Sequence, residues 1–118
     1  MDTDTRIFSV EDYIRPADGE PFRSVVLQTQ ESAIVVWHVA PGQEIAPHLH
    51  PHGQDTWTVI AGEADYYKGD GEIARLRAGE IAVAKLGQVH GARNNGSEPF
   101  IFVSVVASGN AGYVLAKK

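Results

Sequence analysis

An all-β chain, folded as a sandwich or barrel, is predicted by three features of the sequence. Short runs rich in valine, isoleucine and aromatic residues recur along it. Glycine, proline and asparagine clusters separate them, and no segment keeps a helical period for long. The runs are 22–29, 33–40, 55–61, 64–67, 72–76, 81–86 and 100–107. Turn signals lie at Pro41-Gly42, Lys68 to Gly71, Ala78-Gly79, Leu86-Gly87 and Asn94 to Gly96, where φ must be preset or positive.

From the N-terminus, residues 1–20 read as a strand or arm. Within them Ser9 to Ile14 can form one helical turn, with Ser9 as N-cap and Asp12 three residues on. The runs 22–29 and 33–40 are the longest apolar strands. Lys68 to Gly71 should close a β-hairpin between the runs on either side. Residues 55–61 place Asp55, Trp57 and Val59 on one face, with the carboxylate at the end of the strand.

A length of 118 residues predicts one domain spanning 1–118, with room for a core that needs no staples. The net charge of −5, without a Lys/Arg cluster, argues against a nucleic-acid partner. Cysteine is absent, so disulfides, cysteine-bound clusters and thiol nucleophiles are excluded. The acidic start, Met1 to Arg6, lacks an apolar stretch. That predicts no signal peptide and a cytoplasmic protein. The longest apolar run, Ala33 to Trp37, is far short of the ~20 residues of a membrane span.

The chemistry concentrates in residues 42–94. His48 and His50 are two apart, Asp55 follows, and His90 lies well downstream. On an extended strand, residues i and i+2 share a face about 6.5 Å apart, so both imidazoles can lean onto one ion. Three imidazoles and a carboxylate suit one divalent transition metal, with Fe, Mn, Ni, Co and Zn all compatible. His52 has the same parity, but a straight strand carries it about 13 Å from His48. It therefore reads as a pocket residue beside the site, and Gln54 as a weaker alternative to Asp55.

At these residues the chain resembles the cupin superfamily, in its small single-domain form. The first motif is matched by Gly42, His48, His50, Asp55 and Gly62, the second by Gly79, Gly87, His90 and Asn94. The resemblance implies a double-stranded β-helix, or jelly-roll barrel, of RmlC-like type. It implies motif one at 42–62 and motif two at 79–94, with His48, His50, Asp55 and His90 as metal ligands. Two departures stand out. Asp55 replaces a glutamate and is one methylene shorter, and Lys85 replaces a proline of the second motif. Small members of this superfamily pair as homodimers, and residues 22–40 offer strands for that pairing.

Other residues carry a functional and a bland reading side by side. Glu44 and Gln88, one in each motif, can move protons or orient water, or be solvated loop positions. Arg93 can clamp a substrate carboxylate, or be an exposed turn residue. Trp57 can wall a substrate pocket, while Tyr66, Phe100 and Phe102 read first as core, and His38 as an ordinary strand histidine.

The resemblance implies a metal-dependent enzyme of dioxygenase type acting on a small oxygenated organic molecule. Two alternatives stay open: a non-redox isomerase, lyase or decarboxylase, and a module that binds a small ligand without turning it over. No partner other than a small molecule and a second copy of the chain is expected.

Overall fold

The computed structural model describes residues 5–118. Its strands are β1 (Phe22–Gln28), β2 (Ala33–Val39), β3 (Glu44–Leu49), β4 (Gln54–Ala61) and β5 (Glu63–Gly69). They continue with β6 (Glu72–Arg77), β7 (Ile81–Ala84), β8 (His90–Arg93), β9 (Phe100–Ala107) and β10 (Val114–Leu115). All pairings are antiparallel, in two five-stranded sheets ordered β1-β2-β9-β4-β7 and β10-β3-β8-β5-β6. The jelly-roll expectation therefore holds. Among the described residues no helix is long and apolar enough to cross a membrane.

Of the two forms expected for the N-terminal segment, strand or arm, the described residues take the second. Residues 1–4 lie outside the described residues, and 5–20 contain no strand. They form an arm with one 3-10 turn, Val10–Tyr13. Ser9 precedes that turn, but its side chain caps nothing, since four residues leave no α-helical N–H row to cap. Arm residues Phe8 and Tyr13 line a shallow pocket with Ile34, Val36 and Val103, which face away from the space between the sheets.

Alternation along the strands builds the core. On β2, β4 and β9 the inward set includes Val39, Trp57, Val59, Phe100 and Phe102, which join Ile45, Ala64, Tyr66, Leu76 and Ala92 from the facing sheet. Trp57 stacks on Phe102 at a centroid distance of 4.0 Å and meets Tyr66 edge-on at 5.3 Å. Such pairs add about 0.5–1.5 kcal/mol beyond the area they bury.

Corners between the sheets are set by backbone. The chain leaves β4 for β5 at Gly62, with φ +77°, where an added Cβ would lie 2.1 Å from the Pro99 carbonyl oxygen. Only glycine fits that approach. The β5–β6 hairpin closes at Asp70 as expected. Ile81 to Leu86 stops early as a strand, because Lys85 to Gln88 turn back. The Gln88 carboxamide accepts from the Lys85 N–H at 2.9 Å, and Gly87 N–H donates to the His50 carbonyl at 3.0 Å.

Candidate metal centre

Four side chains from four places in the chain meet at one end of the space between the sheets. His48 lies on β3 and pairs in register with His90, the first residue of β8. Asp55 is the second residue of β4, in the other sheet. His50 follows the end of β3, so its direction is not set by strand alternation. Instead its Nδ1 lies 2.6 Å from the Gly112 carbonyl oxygen, a contact from a segment 62 residues later. One ligand atom from each of the four lies within 4.8 Å of the other three.

The histidines share one hydrogen-bond pattern. Nδ1 of His48, His50 and His90 lies 2.8, 2.6 and 3.1 Å from the carbonyl oxygens of Ala46, Gly112 and Gln88. A carbonyl only accepts, so each Nδ1 carries the proton and donates it. That leaves the Nε2 lone pairs for the centre of the cluster, an arrangement typical of imidazoles that hold a metal.

Asp55 is 4% exposed. Its Oδ2 lies 3.0 Å from His90 Nε2 and 3.4 Å from His50 Nε2, and its Oδ1 accepts from the Ser104 hydroxyl at 2.5 Å. The shorter side chain therefore reaches the cluster. Burial raises the Asp55 carboxyl pKa, but the adjoining His50 and His90 rings and the Ser104 hydroxyl outweigh it and hold the group well below the usual carboxylate range.

Burial, followed by the closeness of the His90 ring, pushes the His48 imidazole down to about 4, leaving it neutral at neutral pH. The adjoining Asp55 carboxylate pushes His50 up, against its burial. Lone pairs and a carboxylate turned toward one point call for a cation there, whether a proton on His50 or a metal ion. The donor set of three imidazoles and one carboxylate fits a divalent transition metal.

A cavity of about 320 Å³ opens beside these residues. His48, His50, Asp55 and Trp57 line it, together with the small or apolar Ala33, Val35, Ile45, Val106 and Ala111. Arg23, Gln28 and Tyr113 also line it, and sequence reasoning missed all three. Tyr113 stacks on His48 at 4.9 Å. The signal for Arg23 was its register opposite Trp37, which the sequence alone does not reveal.

Other candidates fall elsewhere. Arg93 does not line this cavity. Its Nε donates to the Asn95 side chain at 2.9 Å, on β8 beside Asp65 of β5. Glu44 accepts hydrogen bonds from Tyr67 and Lys118 instead of facing the histidines. Gln88 is spent on the Lys85 turn, and His52 is exposed in the turn after β3. In each case a nearer polar partner, or the turn itself, fixes the side chain outside the cavity. His38 is buried on the outward face of β2, and Asn94 ties Val39 and Glu98 carbonyls together. A larger groove of about 740 Å³ between β6 and β7 holds none of the four clustered side chains.

The family described as Cupin domain matches residues 35–106. An uncharacterized conserved protein with a double-stranded β-helix domain from Klebsiella pneumoniae subsp. pneumoniae is 68% identical. That match covers 98% of this chain and 100% of the other, with a TM-score of 0.94. Germin-like protein 5-1 of Oryza sativa subsp. japonica is 37% identical over 83 residues, 65% of this chain but only 36% of that protein. The chain thus spans little more than a third of that relative. Oxalate oxidase superposes with a TM-score of 0.78 at 21% identity, over 98% of this chain and 66% of the other, a likeness of fold.

Proposed function

This chain belongs to the cupin domain family, and from that premise we propose that it is a metal-dependent enzyme of oxygenase type. It would hold one divalent transition metal through His48, His50, Asp55 and His90 and act on a small oxygenated organic molecule. The observation that carries the reading is the convergence of one ligand atom from each of three histidines and a carboxylate oxygen within 4.8 Å at the wall of a cavity.

Four protein ligands leave one or two positions open on a five- or six-coordinate ion, which when bound would supply Lewis-acid or redox chemistry. The chain's own residues supply the rest. Carbonyls of Ala46, Gly112 and Gln88 hold the imidazole tautomers, and Ser104 orients Asp55. Ala33, Val35, Ile45, Val106 and Ala111 give the cavity an apolar wall beside the cluster. Iron, manganese, nickel, cobalt and zinc all suit these donors. The β1 edge, with Phe22, Val25 and Leu27 exposed, offers a surface for a homodimer, checked by molar mass in solution.

The test is elemental analysis of wild type and of the double variant His48→Ala/His90→Ala after growth with supplemented metals. Wild type should carry about one metal per chain and the double variant almost none. Oxygen uptake with phenolic and dicarbonyl compounds then separates oxygenase chemistry from its alternative. Turnover with zinc and no oxygen consumption would identify a non-redox isomerase, lyase or decarboxylase instead.

A further inference from the structure

The cavity beside the histidines has an uneven polar inventory. Its acid, Asp55, is already engaged by two imidazoles and the Ser104 hydroxyl. Its remaining committed polar group, the Gln28 carboxamide, donates to the Gly109 carbonyl at the limit of hydrogen-bond length, 3.5 Å. Two nitrogen donors are left over. The Trp57 indole N–H is buried and has no hydrogen-bond partner, and Trp57 itself is 2% exposed. The Arg23 guanidinium makes no ion pair with any described residue, although the chain carries a net charge of −5.

Register explains how Arg23 comes to be there. β1 is the edge of its sheet, and Arg23 pairs with Trp37, which lines the cavity with Val35 and Ala33. Residues directly opposite on antiparallel strands share a face. Arg23 therefore stands at the solvent-accessible rim of the cavity, with its charge directed to the same space as the histidines. Arg75 and Arg77, by contrast, are paired with Glu63 on the neighbouring strand. A buried indole N–H without an acceptor costs free energy until something supplies one.

We propose that this cavity selects a small organic anion, whose carboxylate is read by Arg23 and which offers an oxygen to the Trp57 N–H. The inference deepens the reading of the cavity as a substrate site and rests on it. An arginine fork matches a carboxylate with two parallel hydrogen bonds, and a neutral isostere forfeits the charge assistance. The apolar walls of Ala33, Val35, Ile45 and Val106 suit a short hydrocarbon body. The volume of about 320 Å³ lies at the small end of the range for ligand pockets.

The experiment compares isobutyrate with isobutyramide, which share a shape and differ in charge. Binding to zinc-reconstituted protein is followed by tryptophan fluorescence at constant ionic strength, since Trp37 and Trp57 both line the cavity. Zinc content is measured on every sample. Wild type should bind the acid about tenfold or more tightly than the amide. Arg23→Gln should reduce that preference to about twofold or less, and Arg23→Lys should keep an intermediate preference.

No preference in wild type, or an undiminished one in Arg23→Gln, would overturn the proposal. Zinc content keeps the two readings apart. A preference that depends on Arg23 in protein unable to hold zinc supports the anion site while removing the metal centre. Zinc held without any preference sinks the anion site alone.

Discussion

Along β9 the inward positions change character within two residues. Phe100 and Phe102 fill the space between the sheets, whereas Ser104 and Val106 border the cavity beside Asp55. The neighbouring strands follow suit. β2 places Val39 at the filled end and Ala33 and Val35 at the open one, and β4 passes from Val59 through Trp57 to Asp55. One set of strands thus serves as core at one end and as binding site at the other. On β9 the difference lies in side-chain volume, not in backbone. Large rings close-pack and stabilise, while small residues leave room and bring polar groups together.

The largest effect should come from Phe102→Ala. Phe102 is fully buried and stacks on Trp57, so its removal should cost about 3–5 kcal/mol. Calorimetry should show the melting temperature falling by roughly 10–20 °C, with metal uptake by the folded fraction unchanged. Ser104→Ala, two residues away on the same face, should do the reverse. The Asp55 carboxylate loses its hydroxyl donor, and metal affinity measured against a competing chelator should weaken by about 10–100-fold. If Ser104→Ala lowered the melting temperature as far as Phe102→Ala, the division between the two ends would not stand.

The smallest effect lies outside both ends, at Tyr67 and Glu44. Burial raises the Glu44 carboxyl, but hydrogen bonds from Tyr67 and Lys118 outweigh it and hold its pKa below the ordinary 4.5. A carboxyl depressed on folding stabilises fully above its unfolded pKa and loses that contribution as pH falls through its folded value. Tyr67→Phe should therefore cost about 1 kcal/mol at neutral pH. Denaturant titrations should show the gap from wild type narrowing as pH drops below about 4.5. A gap that is constant across that range would mean the tyrosine acts through packing alone.

Runs of valine, isoleucine and phenylalanine made β1, β2, β4 and β9 legible in the sequence, and glycine-rich turns marked the β5–β6 hairpin. β3 and β8 were legible only as the strands that carry the histidines, without bounds, and β10 was not legible, for particular reasons. β3 carries Pro47, which cannot donate to a ladder and reads as a break. β8 is His-Gly-Ala-Arg, with little β preference, and its Gly91 is needed because an added Cβ would lie 2.7 Å from the Ile45 carbonyl oxygen. β10 has only two residues.

The four clustered donors were readable from spacing because metal ligands are chemically distinctive. Their surroundings were not. Ala33, Val106 and Ala111 look like any small apolar residue until the sheets face each other. Arg93 drew attention as a clamp because it lies near His90 in sequence, yet strand register places Arg23 at the cavity.

The contact between His50 and Gly112 has a kinetic side. Residues 109–116 cross the cavity as a strap: Gly109, Ala111, Gly112 and Tyr113 line it, and Ala116 N–H donates to the Pro47 carbonyl at 2.9 Å. The strap ends in the two-residue edge strand β10, whose Val114 and Leu115 are exposed. Short edges with few buried apolar contacts are where native proteins open first, without global unfolding. Lifting the strap would remove a wall of the cavity and free the His50 ring in a single event. Escape of an occupant and loosening of its anchor would then run on one clock, wound by the last ten residues of the chain.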